Sequence, residues 1–120
     1  MDTLFLVAMI VEAFFGIGFV LVPGPMLNPF GVSLNDVATT FARLFGSGLI
    51  SFTVLLWFAR KSENSEFKKG VIYSLFAFYI VSTIILLSTQ LAGLMNPLGW
   101  IVVGIHVVLL VWFGYFVITK

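Results

Sequence analysis

Cysteine is absent from the sequence, which excludes disulfides, thiolate metal sites and thiol nucleophiles and leaves the redox compartment unread. Charge is scarce as well: Asp, Glu, Lys and Arg make up 9% of 120 residues, against about 25% in ordinary soluble domains. The net charge of +1 supplies neither a basic face for nucleic acid nor an acidic tail. No glycine loop for phosphate is present, because Gly16-Ile17-Gly18 and Gly46-Ser47-Gly48 fall inside apolar runs, where glycine serves helix packing. The single histidine, His106, has no acid within reach for a Ser-His-Asp set, since Asp2 and Asp36 sit at the ends of apolar runs. One histidine also cannot furnish paired axial ligands or a four-ligand set, so no metal and no cofactor are expected. What fills the chain instead is apolar: 61% hydrophobic residues, including 14 phenylalanines that read most simply as lipid-facing or core bulk. Such a composition belongs in a bilayer.

A spanning helix needs about 20 mostly apolar residues at 1.5 Å each. Four stretches meet this: Thr3–Val22, Val37–Ala59, Gly70–Ala92 and Leu98–Ile118. The expectation is an all-α, single-domain, integral membrane four-helix bundle running up-down-up-down over residues 1–120. The first stretch is read as a retained helix, because Asp2 precedes it where a secretory leader has basic residues, and no small-x-small cleavage site follows. Arg60, Lys61, Lys68 and Lys69 lie in the loop between the second and third spans and Lys120 ends the chain, while the other two loops contain no Lys or Arg. That bias places both termini and the middle loop in the cytoplasm of a multi-pass membrane protein, at the plasma membrane if the source is prokaryotic. Trp57, Tyr73, Trp112 and Tyr115 near inner ends, and Trp100 near an outer end, suit interfacial anchoring.

Local chemistry marks the boundaries. Pro23 and Pro25, with Gly24 between them, end the first span. Ser33 or Asn35 can cap the second, with Asp36 in its first turn. Asn96-Pro97 suits the start of the fourth, and the polar run Lys61–Lys69 reads as a solvated turn. The loop Pro23–Asp36 is longer than a turn needs and carries Met26, Leu27, Phe30 and Val32, so it is expected to fold back as a lid. Asn28-Pro29-Phe30-Gly31 and Asn96-Pro97-Leu98-Gly99 share a pattern that either marks a duplicated hairpin or is coincidence; Asn-Pro being a common turn pair, coincidence is favoured.

Ionisable residues inside spans each cost roughly 2.5–3.5 kcal/mol on insertion scales. Three are present: Glu12, Arg43 and His106. By helical rise they lie at depths of about 15, 9 and 12 Å, with Ser82 and Thr83 at about 15 Å on the third span and Ser47 one turn beyond Arg43. Together they outline a candidate buried polar or ligand site. Ala38, Ala42 and Gly46 form a small-residue packing stripe beside Arg43, and Ala8 and Gly16 flank Glu12. An ion pair of Glu12 with Arg43, with His106 beside it, is the expected arrangement; the alternatives are an Arg43 that snorkels outward, with Glu12 protonated or bonded elsewhere, and a pair that acts only as a structural staple.

The run Thr40-Phe41-Ala42-Arg43-Leu44-Phe45-Gly46, the proline-bearing exit of the first span and the His106 helix look similar to the DoxX-like superfamily of small four-helix bacterial membrane proteins. The resemblance implies a four-helix fold and a recurring buried basic residue at Arg43, in a superfamily some of whose members are subunits of quinone-linked or redox-associated membrane complexes. The chain also resembles small multidrug transporters in length, span number and the glutamate at Glu12, which implies proton-coupled export of cationic drugs by a dimer. It departs from them in its one-sided charge bias and in an Arg43 expected near Glu12. The leading expectation is a non-enzymatic accessory or scaffold subunit of unknown activity, whose partners are the lipid bilayer and a membrane protein or second copy. The alternative is binding or transport of a proton-linked or amphipathic small molecule such as a quinone or lipid. Nucleic acid is not expected as a partner.

Overall fold

The computed structural model describes residues 1–119; Lys120, counted in the charge argument above, lies outside the described residues. The chain is all-helical: α1 (Asp2–Leu21), a short α2 (Pro23–Leu27) followed by a 3-10 turn (Asn28–Phe30), α3 (Asp36–Lys61), α4 (Ser65–Leu91) and α5 (Gly99–Thr119). The helices α1, α3, α4 and α5 are long and apolar enough to cross a membrane.

The boundaries follow the chemistry of their caps. Pro23 stops α1 and, as the first residue of α2, needs no amide donor there. Asn35, of the two cap candidates, accepts a hydrogen bond from the Ala38 amide at 2.8 Å and starts α3. Asn64 does the same for α4, accepting from the Phe67 amide at 3.0 Å. That cap corrects the expected turn at Lys61–Lys69: only Ser62–Asn64 are non-helical, and α4 begins at Ser65 instead of Gly70. Polarity keeps a segment out of hydrocarbon but does not prevent a capped helix from extending beyond it. Pro97 likewise does not open α5; the Asn96 side chain accepts from the Leu98 amide at 3.0 Å, and the helix starts at Gly99.

Two contacts set the topology. Lys68 Nζ lies 2.8 Å from Asp2 Oδ1, bringing the starts of α1 and α4 together. At the opposite end the Asn96 amide donates to the Phe30 carbonyl at 2.9 Å, and Asn96 Nδ2 to the Pro29 carbonyl at 2.8 Å. The helices therefore run up-down-up-down, with Arg60, Lys61, Lys68 and Lys69 at the Asp2 end. The two Asn-Pro segments, similar in sequence, meet each other at the end away from Asp2 but differ in conformation: Gly31 is left-handed at φ 79°, whereas Gly99 opens a helix.

Packing is uneven. Helix α1 lies along α3 and α4 along α5, with sparser contact between the two pairs. A core drawn from all four long helices fills the half nearer Asp2, with Leu4, Phe5, Leu56, Leu75, Leu109 and Phe113 sealed from solvent. Two backbones approach closely at Gly16 and Gly46: a Cβ on Gly46 would lie 2.8 Å from the Gly16 carbonyl oxygen. The small-residue stripe thus meets α1 at Gly46, with Ala38 and Ala42 half-buried beside it.

Candidate functional site

In the other half of the bundle, toward the α1–α3 and α4–α5 connections, a cavity of about 330 Å³ takes the place of the core. This size is at the lower end of small-molecule sites, which run from roughly 300 to 1,000 Å³. All four long helices line it, with Phe15 and Phe19 from α1, Phe45 and Leu49 from α3, Phe78, Ile85 and Leu86 from α4, and Val102 from α5. Leu27, Phe30 and Met95 from the two connections also line it, so the segment after Pro23 folds over the bundle in the manner expected of a lid. Asn96, bonded to Pro29 and Phe30, ties the two connections together, and Gln90 Nε2 donates to the Asn96 carbonyl at 3.1 Å.

Five of the 14 phenylalanines, Phe15, Phe19, Phe30, Phe45 and Phe78, serve as cavity wall, a role that composition did not suggest. Ring contacts run from Phe15 to Phe19 (6.0 Å), to Phe45 (5.9 Å) and to Phe78 (6.4 Å). They end on Tyr79 and His106, whose rings are 5.6 Å apart and edge to face.

Three polar side chains face the cavity: Glu12, Ser82 and His106. Glu12 is 3% exposed, and one of its carboxyl oxygens accepts a hydrogen bond from the hydroxyl of the fully buried Tyr79. His106 Nδ1 is 3.0 Å from the Val102 carbonyl oxygen; a carbonyl only accepts, so Nδ1 is the donor and Nε2 of the neutral ring is left as an acceptor. Ser82 Oγ is buried without a hydrogen-bond partner. Residues 79, 82 and 83 are spaced to share one face of α4, so Ser82 stands one turn from the phenol that bonds Glu12.

The expected Glu12–Arg43 ion pair does not form. Arg43 is exposed, and its Nε donates to the Val20 carbonyl at 2.9 Å. Val20 is in the last turn of α1, where carbonyls lack intrahelical partners, and the long arginine side chain reaches that polar rim. The buried basic residue implied by the DoxX-like resemblance is therefore not buried at this position. Ser47 also lies outside, exposed and bonded to the Leu44 carbonyl at 2.7 Å. Thr83 is buried, with an unpartnered Oγ1, but does not line the cavity. Of the residues expected to form one layer, Glu12, His106 and Ser82 are brought together. Tyr79 is the residue sequence reasoning missed. The available signal was a mid-span phenol one turn deeper than Ser82 and Thr83 and on their face, since a tyrosine so far from an interface needs a buried partner.

No curated protein and no solved structure matches the chain. The likenesses to DoxX-like proteins and to small multidrug transporters accordingly rest on the motifs quoted for them. A family model does match, over residues 6–120. The chain belongs to the family described as Domain of unknown function (DUF8292).

Proposed function

We propose that the protein is a multi-pass membrane protein that binds a small amphipathic molecule in the cavity between its two helix pairs. Membrane residence is supported by the outward faces of the helices. Ile10, Phe14 and Ile17 on α1, and Ile101, Val108, Val111 and Ile118 on α5, are all more than half exposed. Contiguous apolar surface of this kind is rare on soluble monomers and ordinary against lipid. The long dimension of 43 Å suits a bilayer of about 40–45 Å including headgroups. With the basic loop inside, residues 60–69 face the cytoplasm and the 22–35 and 92–98 connections face out. Single cysteines at Glu63 and Asn28, in a chain with no other cysteine, are then expected to react with an impermeant thiol reagent from opposite sides of sealed vesicles. Labelling of both from one side contradicts this orientation.

The observation that carries the binding reading is a void walled by phenylalanine and leucine with a carboxyl, an imidazole and an unpartnered hydroxyl set into one region of it. A purely structural polar layer would close on itself, because buried polar groups are ordinarily satisfied by each other. Here Ser82 Oγ is buried without a partner and His106, on the cavity wall, makes no bond through Nε2 among the described residues, the pattern of a pocket in which a few polar groups orient an otherwise apolar ligand. With Arg43 turned to the rim, no cation among the described residues neutralises Glu12, which leaves the carboxyl for the ligand.

The test is titration of amphiphiles sharing one farnesyl tail into the protein in lipid nanodiscs, followed through the NMR signals of the Met95 methyl and the His106 ring. Saturable shifts are expected in the wild type and are expected to vanish in Leu86→Trp, whose indole fills the cavity and leaves the polar groups intact. An accessory subunit with no ligand of its own gives no saturable shift in either protein.

A further inference from the structure

We infer that the cavity selects its ligand by hydrogen-bond polarity, taking an amphiphile whose head group donates hydrogen bonds, a hydroxyl or an amine, and rejecting heads that only accept. The inference deepens the binding reading above and rests on it. Its basis is the inventory of free lone pairs and protons on the three polar residues that face the void. The proton on His106 Nδ1 is committed to the Val102 carbonyl, so the neutral ring presents only the lone pair of Nε2. One oxygen of Glu12 is occupied by the Tyr79 hydroxyl, leaving the second to the cavity. Ser82 Oγ, buried and unpartnered, has one O–H to donate and two lone pairs to accept with.

A hydroxyl head completes this set. Its proton goes to His106 Nε2 and its oxygen accepts from Ser82. An ammonium head donates to both His106 and Glu12 and gains attraction from the surrounding phenylalanine faces. An ether or ketone satisfies Ser82 alone and sets its own lone pairs against Nε2. A phosphate adds negative charge beside the Glu12 carboxyl. Because a buried acceptor facing another acceptor forfeits its hydrogen bond without recovering water, discrimination of about tenfold or more against the acceptor-only heads is expected.

The experiment uses the nanodisc-embedded full chain and four probes with one tail: farnesol, farnesylamine, farnesyl methyl ether and farnesyl phosphate. Farnesol or farnesylamine is expected to saturate at a concentration at least about tenfold below the ether and the phosphate, and the stronger of the two identifies the head as neutral or cationic. In His106→Phe, which keeps a ring of similar size and removes the acceptor, the advantage of farnesol over its methyl ether is expected to collapse. Equal binding of farnesol and the ether in the wild type, or tighter binding of the phosphate, overturns the polarity inference and leaves the amphiphile reading standing. No saturation by any of the four overturns both.

Discussion

Gly46→Ala lowers the stability of the protein by about 1–3 kcal/mol, while Gly48→Ala two residues along the same helix leaves it unchanged or raises it by up to about 1 kcal/mol. The two changes add the same methyl group to α3. At Gly46 the new Cβ would sit 2.8 Å from the Gly16 carbonyl oxygen and 2.9 Å from Phe19 Cβ, so α1 and α3 must move apart. At Gly48 nothing lies within 4 Å, and only the gain in helix propensity remains. Separation of α1 from α3 also shifts Phe19 and Phe45, which touch across that interface and form cavity wall, so Gly46→Ala is expected to weaken ligand binding as well. Unfolding in detergent, monitored by circular dichroism, measures the first effect. Equal stabilities for the two variants contradict the close approach of α1 and α3 on which the site is built.

Tyr79→Phe destabilises more than Glu12→Gln. Removing the phenol oxygen leaves the Glu12 carboxyl, 3% exposed, without its donor, at a cost of about 1–3 kcal/mol or more if it carries charge. Glutamine at position 12 keeps an oxygen for Tyr79 to bond, so the fold is expected to survive with a loss under about 1 kcal/mol, while ligand affinity falls. In the double variant, Tyr79→Phe costs less than it does alone, because a neutral amide replaces the carboxyl left without its donor. The comparison separates two accounts of Glu12. Were an ion pair to Arg43 the main anchor, Glu12→Gln and Arg43→Gln would both be costly and Tyr79→Phe mild. With Arg43 exposed and bonded to Val20, Arg43→Gln is expected to be near neutral.

The fold was legible because a bilayer restricts the answer: apolar runs of about 20 residues can only be helices there, and capping residues such as Asn35 declare where they begin. The burial of Glu12 was legible for the same reason, through Ala8 and Gly16 on its face. The partner of Glu12 was not. Helical rise places Arg43 within a few ångströms of Glu12 in depth, but depth leaves rotation about the helix axis undetermined. It also ignores the reach of an arginine side chain, long enough to bring the guanidinium to the end of α1. Tyr79 escaped notice because tyrosines at span ends are so readily assigned to interfaces, and this one is mid-span. The cavity was beyond reach altogether, since a void is a property of how far apart two helix pairs are held, and the residues that wall it are the same phenylalanines that would fill a core.

The central claim is that a ligand head group rests on Glu12, Ser82 and His106 inside the bundle. Intermolecular nuclear Overhauser effects between farnesol and the protein in nanodiscs test it most directly. Cross-peaks are expected from the carbinol protons of farnesol to the His106 ring and from its tail methyls to Met95, all lost in Leu86→Trp. Cross-peaks confined to Val108 and Val111 on the outward face of α5, unchanged by Leu86→Trp, would contradict the claim.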